Sequence, residues 1–356
     1  MALHRFICPE VHLQGNARLR AAPERLAAYP SQLAMLADFD AGAVFAKTPS
    51  GQITRHALPP EAGRRAFPDH RGHRNVMLIA QLKGRIRGAI TANMADATPF
   101  APALYLGEPV NLFQYNRRRG DRSAVLWRLP DYFEPSPRIG ALPAPLPADS
   151  QPFREKLPKL FWRGSMYGTR WTTSHETETL RAEWLADPGP GRVSALAARF
   201  SRMAAVRFSQ RHPDLADCRF TPGDPAPGAA LPGPEDPLFA PVVAPQDQLG
   251  YRFLLCPAGQ DVSTQLYWAL QTNCLVLKEE TPYEVLPDYF LEPWLHYVPV
   301  APGLTDLREK LEFCRTFRKV GEAIVARAQE AWQRMIQPEP WREAEDIVLD
   351  RLGLLD

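Results

Sequence analysis

Small polar side chains follow a short apolar run in the second half of the chain. The run Tyr251–Cys256 has the length and composition of a buried strand, and Pro-Ala-Gly-Gln-Asp-Val-Ser-Thr leads from it into a helix-compatible segment at 265. Hydroxyls and backbone N–H groups would then gather at a helix N-terminus, where the helix dipole favours an anion such as a phosphate. In open α/β sheets, ligands bind at this same edge.

The stretch also has a simpler interpretation. Asp261 or Ser263 could cap the helix, a frequent role of these residue types. Neither a glycine-rich dinucleotide fingerprint nor a P-loop pattern accompanies the segment. On these residues alone, capping is favoured over ligand binding.

A run of three arginines, Arg117, Arg118 and Arg119, follows the apolar run VNLFQY. It is either a solvated loop or a patch that binds an anionic acceptor, such as the phosphates or acidic sugars of a glycolipid, or the membrane surface carrying it. His70 and His73 have only Asp69 beside them, which is too few groups to predict a metal site. No metal is therefore expected.

Composition limits the class of protein. The 356 residues are 45% hydrophobic and 23% charged, enough for a sizeable core and two domains, and the net charge of +2 argues against a nucleic-acid binder. No apolar run of eighteen residues exists, and the start MALHRFICPE lacks a secretory signal. The five scattered cysteines are typical of reduced core thiols. We expect a soluble cytoplasmic protein.

The elements that position these residues alternate between strands and helices. Short strands are predicted at 76–80, 89–91, 110–115 and 124–126, and further strands at KLFWRG, GYRFLLCP, CLVLKE and HYVPV. Helices are predicted from 192 to 211, from 263 to 273, and as one long helix from 305 to 335 that Pro338 closes. This alternation predicts an α/β fold with parallel sheets. A tract with seven prolines, 134–159, marks the domain boundary.

Two segments resemble a known family. RFLLCPAGQDVSTQLYWALQTNCLVLKEE followed by LEPWLHYVPV, and the earlier KLPKLFWRGSMYGTRW, are similar to the signature blocks of glycosyltransferase family 90, the CAP10-like group. The group includes protein O-glucosyltransferases and bacterial lipopolysaccharide-modifying transferases. The resemblance implies a GT-B architecture of two Rossmann-like domains facing a cleft: 1–148 on the acceptor side, 149–335 binding the nucleotide sugar, and a helix at 336–356 crossing back.

The resemblance also implies site residues. Ser165 and Arg170 resemble the family's donor-binding serine and arginine, and Arg163 and Gly164 open the same motif. The loop that holds the pyrophosphate and sugar corresponds to Gly259 to Gln265, with Asp261, Val262, Ser263 and Thr264 as its contact residues. Asp247 and Tyr251 fall on positions near the nucleotide, although Tyr251 fits the core equally well. The eukaryotic members carry an arginine where this chain has Gln265, which implies weaker donor binding or a different donor.

An inverting transferase needs a base that takes the proton of the acceptor hydroxyl. The family's base is an aspartate just after a strand of the N-terminal domain. Asp96, in AITANMADATP, occupies the corresponding place and is our predicted catalytic residue. Asp69 and Asp121 are its nearest rivals.

The resemblance therefore predicts an inverting, metal-independent glycosyltransferase. The expected donor is a UDP-sugar such as UDP-glucose or UDP-xylose, and the expected acceptor a saccharide or glycolipid of bacterial lipopolysaccharide or surface polysaccharide assembly. The protein would act in the cytoplasm, either free or peripheral at the inner face of the membrane. Two alternatives stay open: a non-catalytic relative that binds nucleotide sugars or glycans, favoured by Gln265, and a protein that binds anionic polymers through its arginines.

Overall fold

The structure is a computed structural model. It describes residues 2–8, 23–28, 34–48, 50–59, 72–94, 111–121, 124–128, 148–165, 200–221, 237–259, 262–263 and 265–355. The chain divides into two compact units. Unit 1 comprises Met1–Leu142, Pro282–Tyr289 and Ile336–Asp356, and unit 2 comprises Pro143–Thr281 and Phe290–Met335. Both mix helices with sheets, so the predicted α/β class is confirmed.

Unit 1 is built on a six-stranded mixed sheet. Its strands are β1 (Met35–Asp38), β2 (Ala43–Lys47), β3 (Ile53–Ala57), β4 (Ala89–Ala92), β5 (Leu112–Gln114) and β7 (Val125–Leu126), in the order β3-β2-β1-β4-β5-β7. The β3-β2-β1-β4 half is antiparallel, whereas β4, β5 and β7 run parallel. The strands predicted at 89–91, 110–115 and 124–126 are confirmed within a few residues, and the antiparallel half was not predicted.

The strand predicted at 76–80 is wrong, because this segment lies in helix α3 (His73–Leu82). Its five apolar residues are all buried, so they show neither the alternation of a half-buried strand nor one apolar helix face. A stop signal was nevertheless present in the sequence. Gly84 adopts a left-handed φ of 77° two residues after α3 ends, as a glycine that terminates a helix does.

Within the described residues, unit 1 also contains three further helices and a small two-stranded sheet. The helices are α1 (Leu3–Ile7), α2 (Pro23–Ala28) and α8 (Pro338–Arg351), and the two-stranded sheet pairs β6 (Asn116–Arg118) with β12 (Tyr283–Val285) in antiparallel register. This pairing brings residues 167 positions apart into direct contact. An ion pair between Arg128 and the buried carboxylate of Glu345 holds α8 to the end of β7.

Unit 2 contains a five-stranded parallel sheet. Its strands are β8 (Leu157–Gly164), β9 (Ala216–Phe220), β10 (Tyr251–Cys256), β11 (Leu275–Glu279) and β13 (Val298–Val300), in the order β9-β8-β10-β11-β13. Every neighbouring pair is parallel, as predicted. In chain order this is 2-1-3-4-5, the order of doubly wound sheets such as flavodoxin. The order reverses between β8 and β10.

Helix α4 (Ser201–Arg211) connects β8 to β9, and α5 (Gln265–Ala269) connects β10 to β11. Alternate residues of the strands, including Leu160, Trp162, Phe253 and Leu255, form one buried cluster with α4. Right-handed crossovers on either side of a reversal lie on opposite faces of a sheet. Because α4 follows β8 and α5 follows β10, both helices have their N-terminal ends at the carboxyl edge of the sheet, near the reversal.

The long helix predicted from 305 to 335 is two helices, α6 (Leu307–Thr316) and α7 (Arg318–Met335), separated by Phe317. The apolar spacing continues unchanged across Phe317, so periodicity could not locate the break. Gly321 packs against the sheet, where an added Cβ would lie 2.9 Å from the Phe153 ring and 3.3 Å from Leu275. The helix predicted after Pro338 is confirmed as α8. Among the residues described, no helix is long and apolar enough to cross a bilayer.

Candidate active site

Three residues meet at the carboxyl edge of the sheet in unit 2. Ser165 follows β8, Gly259 follows β10, and Arg202 lies in the first turn of α4. The Arg202 Nη1 atom donates to the Ser165 carbonyl oxygen at 3.0 Å and to the Ser165 Oγ at 3.1 Å. On the other side, a Cβ added to Gly259 would lie 2.6 Å from Arg202 Nη2. The guanidinium therefore occupies the space between the ends of β8 and β10.

This place is the reversal of strand order, where doubly wound sheets bind their ligands. The groups gathered there suit an anion: a guanidinium fork, a hydroxyl, and the N-terminal end of α4 with its partial positive charge. Gly259 leaves its backbone open to close approach. We therefore identify the Ser165–Arg202–Gly259 cluster as the candidate anion site of unit 2.

Arg202 was missed in the sequence, where we predicted Arg170 as the arginine beside Ser165. Arg170 lies outside the described residues. The segment RVSALAARFSRMAAVRFSQR indicated an amphipathic helix, but it gave no reason to single out one of its arginines. Only the crossover connection places the first turn of this helix beside β8.

The Trp162 ring packs against the Arg202 guanidinium of the cluster, and Gly164 makes room for that ring. The Arg202 guanidinium lies 5.9 Å from the Trp162 ring centroid, and the ring packs edge-on against Phe220. A Cβ on Gly164 would come within 2.5 Å of the Trp162 ring. The predicted donor residue Gly164 thus allows the ring to fold back over the end of its own strand.

One buried carboxylate ties the elements of the site together. Glu279, the last residue of β11, is 1% exposed and accepts hydrogen bonds from the Ser201 hydroxyl, from Ala258 N–H at 2.7 Å and from Gly303 N–H at 2.7 Å. Ser201 precedes Arg202, and Ala258 precedes Gly259. Glu279 therefore fixes the backbone next to two members of the cluster.

The described members of the predicted donor loop lie beside the cluster. Val262 is 7% exposed and anchors the loop in the interior. Ser263 forms a hydrogen bond with the thiol of Cys256, whose pKa burial raises to about 12 although this bond acts in the opposite direction. Gln265 begins α5, and its Nε2 is buried with no hydrogen-bond partner within the described part of the chain. Asp261 and Thr264 lie outside it.

The Arg163 side chain is held by hydrogen bonds to a neighbouring strand of its own sheet. Its Nη1 donates to the carbonyl of Asp217 and its Nη2 to the carboxylate of Asp217, both at 2.8 Å, and its guanidinium covers the Phe161 ring at 4.4 Å. The side chain is 9% exposed. Its predicted contact with the donor is not part of this arrangement.

Asp247 and Tyr251 lie at the amino end of β10, at the opposite end of that strand from Gly259. The structure therefore does not bring them together with Ser165. The Tyr251 hydroxyl donates to Asp217 at 3.2 Å; burial raises the pKa of Tyr251, and the Asp217 charge raises it further. A cavity of about 670 Å³ beside Asp217 and Tyr251 also belongs to this end of the unit.

The three arginines predicted to bind an acceptor differ in their surroundings. Arg117 is 4% exposed and donates to Glu284 at 2.6 Å and to three backbone carbonyl oxygens. Arg119 is half exposed and lies 3.6 Å from Asp288, and Arg118 is exposed at the end of β6. Arg117 is thus a packing residue of unit 1, and the exposed part of the run is Arg118 and Arg119.

The predicted base Asp96 and its rival Asp69 lie outside the described residues. Asp121, the other rival, follows the turn after β6, and its N–H donates to Arg118 O at 2.9 Å. Within the described ranges, no group of three or more His, Cys, Asp or Glu side chains is placed to hold a metal ion.

Comparison with known proteins identifies similar sequences. Residues 199–339, which include α4, match the family model described as Glycosyl transferase family 90. O-glucosyltransferase LpsA of Dichelobacter nodosus is 33% identical over 93 residues, which are 26% of this chain and 29% of the relative. Protein O-glucosyltransferase 3 of Homo sapiens is 28% identical over 92 residues, 26% of this chain and 18% of the relative.

A viral relative aligns over a longer stretch. Uncharacterized protein 035R of Invertebrate iridescent virus 3 is 26% identical over 202 residues, which are 56% of this chain and 17% of the relative. Each of these three alignments spans less than a third of the relative's own length. The similarity thus confirms the family resemblance seen in the sequence.

Proposed function

Because residues 199–339 match the model of glycosyltransferase family 90, we propose that this chain is an inverting, metal-independent glycosyltransferase of GT-B architecture. Its donor is a UDP-sugar, such as UDP-glucose or UDP-xylose, and its acceptor is a saccharide or glycolipid. Two relatives are named O-glucosyltransferases, which supports a glucosyl donor. Bacterial surface polysaccharide assembly, on the cytoplasmic side of the membrane, is the setting we propose.

The observation that carries the proposal is the Ser165–Arg202–Gly259 cluster at the strand-order reversal. The diphosphate of a nucleotide sugar carries a negative charge on each of its two phosphates, and a guanidinium fork with a neighbouring hydroxyl matches its oxygens. Gln265 contributes an amide to the same edge. These groups hold the diphosphate without a metal ion.

In the proposed reaction, Asp96 takes the proton of the acceptor hydroxyl while the hydroxyl oxygen attacks the anomeric carbon. The bond from that carbon to the diphosphate oxygen breaks, and UDP leaves with the electron pair. The charge on the leaving diphosphate grows as the bond breaks. Arg202 and Ser165 stabilise that growing charge, so they act more strongly in the transition state than in the ground state.

A thermal-shift series tests the function. We expect UDP and one UDP-sugar to raise the melting temperature with or without EDTA, because a ligand that binds the folded state stabilises it. The best sugar is then used as donor with saccharide acceptors, and Asp96→Asn is expected to retain the UDP shift while losing turnover by about 100-fold or more.

Each alternative gives a different result in the same series. Binding of UDP without transfer or hydrolysis of any donor would identify the non-catalytic relative that Gln265 favours. No shift with any nucleotide, together with salt-sensitive binding of polyanions, would replace the transferase by the anionic-polymer binder.

Glu279→Gln is expected to weaken UDP binding through the two segments that the carboxylate holds. A glutamine offers one acceptor oxygen and an NH₂ group, so one of the three donors at this position would face another donor. We expect the Kd for UDP to rise about tenfold and the free energy of unfolding to fall by about 1–3 kcal/mol. Isothermal titration calorimetry with UDP, well below the melting temperature, measures the Kd.

The matched control for this prediction is Glu280→Gln, at the next residue. The Glu280 side chain is 33% exposed and lies 3.7 Å from Lys278, and only its backbone N–H bonds to the next strand, at Val300 O. We expect UDP affinity to remain within about twofold of the unchanged protein. Equal UDP affinity in Glu279→Gln and Glu280→Gln would show that Glu279 does not position the site.

A further inference from the structure

Four large apolar side chains form an exposed surface at the junction of α6 and α7. We call it the aromatic corner: Trp294, Phe313, Phe317 and Val320, which are 40%, 38%, 53% and 39% exposed. The Trp294 and Phe313 ring centroids are 5.6 Å apart, and those of Phe313 and Phe317 are 4.8 Å apart. The rings therefore make one continuous surface rather than isolated exposed side chains.

The break between α6 and α7 creates this surface. Phe317 has φ −97° and ψ 60°, which ends α6, and all five residues from 316 to 320 are exposed. In an unbroken helix, the spacing of Phe317 and Val320 from Leu307, Leu311 and Cys314 would place them on the same apolar face. The break turns them outward from a core in which the other three remain buried.

Trp294 completes the corner from a turn in an uncommon backbone conformation. Its φ is 64°, a left-handed value that is rare for a bulky side chain. The Lys310 Nζ lies 4.8 Å from the Trp294 ring centroid. A strained residue that holds an indole at the surface, beside a cation, indicates a contact with something outside the chain.

The segment that joins α6 to α7 at the corner carries charges of one sign. Between Phe313 and Val320 the chain carries Arg315, Arg318 and Lys319 and no acidic residue. Arg318 and Lys319 are exposed and lie in the chain between the exposed apolar residues Phe317 and Val320. Aromatic rings interleaved with exposed basic side chains suit the boundary between anionic headgroups and acyl chains.

We propose that the aromatic corner is a peripheral membrane-binding surface that docks on anionic phospholipid. Phe317, Val320 and Trp294 insert at the level of the headgroups, and Arg318 and Lys319 contact the lipid phosphates. This surface is separate from the arginine run at 117–119. The inference does not depend on the proposed function, because vesicle binding needs neither donor nor acceptor.

The full chain is tested by co-sedimentation with vesicles of phosphatidylcholine alone or mixed with phosphatidylglycerol. We expect binding to the anionic vesicles that weakens with added salt, and little binding to the neutral ones. Arg318→Glu with Lys319→Glu, and separately Phe317→Ser with Val320→Ser, are each expected to lower the partition coefficient at least about tenfold. All four positions are exposed, so the variants should fold, and their melting curves verify this.

Two controls and one spectroscopic readout make the test specific. Val242→Ser removes a 73% exposed apolar residue elsewhere in unit 2, and Arg308→Glu reverses a 63% exposed charge on α6; neither should change binding more than about twofold. Brominated acyl chains should quench tryptophan fluorescence in the unchanged protein and much less in Trp294→Phe. This loss of quenching reports insertion at the corner itself.

Three results would overturn the inference. The first is failure of the unchanged protein to bind anionic vesicles. The second is binding by both double variants that equals the binding of the unchanged protein. The third is a dimer in light scattering that Phe317→Ser with Val320→Ser dissociates while vesicle binding persists, which would assign the corner to a second copy of the chain.

Discussion

Replacing Arg202 by alanine is expected to abolish most of the affinity for UDP. The guanidinium lies between Ser165 and Gly259 at the reversal of strand order, so its loss removes the positive charge placed nearest to a bound diphosphate. Losing one partner of a desolvated charge pair costs about 2–5 kcal/mol, so the Kd should rise about 30-fold or more. Titration calorimetry with UDP measures this, and donor turnover should fall at least as far.

The same helix supplies a matched control. Arg207 lies five residues further along α4 and bonds to the exposed Gln210 at 2.8 Å. Arg207→Ala removes the same side chain from the same helix, and we expect UDP affinity to stay within about twofold. Arg202→Lys keeps the charge but loses the planar fork, so it should fall between the two.

Gly259→Ala displaces Arg202 without removing it. The new Cβ would lie 2.6 Å from Nη2, which is the far end of a flexible side chain, so the fold should tolerate the methyl group while the guanidinium moves. We expect weaker UDP binding with little change in melting temperature. Unchanged UDP affinity in both Arg202→Ala and Gly259→Ala would exclude the cluster as the diphosphate site.

Four of the five strands in the parallel sheet of unit 2 were predictable because local patterns specify them, whereas β9 was not predicted. KLFWRG, GYRFLLCP and CLVLKE are apolar runs of strand length bounded by Gly, Pro or polar residues, and each is a strand in the structure. The loop after β10 was also predictable from the sequence, since small polar residues follow the strand directly. Neither conclusion required knowledge of a distant part of the chain.

Features that depend on contacts between distant residues were not predictable. Arg202 is one of several arginines in its segment, and only the crossover from β8 to β9 places it beside Ser165. Glu279 reads as the polar end of a strand, whereas its three donors come from positions 201, 258 and 303. Such partners are set by the order of strands in the sheet, which local spacing does not encode.

The run at 117–119 shows the same limit for charge. The three consecutive arginines look equivalent in the sequence. In the structure, β6 pairs with β12 so that Arg117 lies inside unit 1 beside Glu284, while Arg118 is exposed. Consecutive side chains of a strand point to opposite faces. A count of basic residues therefore overstates the surface that can meet an acceptor.

Arg117→Ala is accordingly expected to destabilise unit 1 by about 3–5 kcal/mol, because it leaves a nearly buried carboxylate and three carbonyl oxygens without their donor. Arg117 also lies 5.6 Å from the Phe6 ring, so the first helix loses packing as well. Hydrogen exchange measured by mass spectrometry should show faster exchange in α1, β6 and β12. Unit 2 should be unaffected, so its UDP-induced protection should persist.

Arg118→Ala, at the next position of the same strand, is the control. We expect its stability to stay within about 0.5 kcal/mol of the unchanged protein, since the side chain is exposed. If the exposed part of the run binds an anionic acceptor, Arg118→Ala with Arg119→Ala should raise the KM for that acceptor while kcat and hydrogen exchange remain unchanged. Unchanged exchange in Arg117→Ala, together with a raised acceptor KM, would instead make Arg117 a binding residue, because a packing role cannot be lost without loosening the strands it joins.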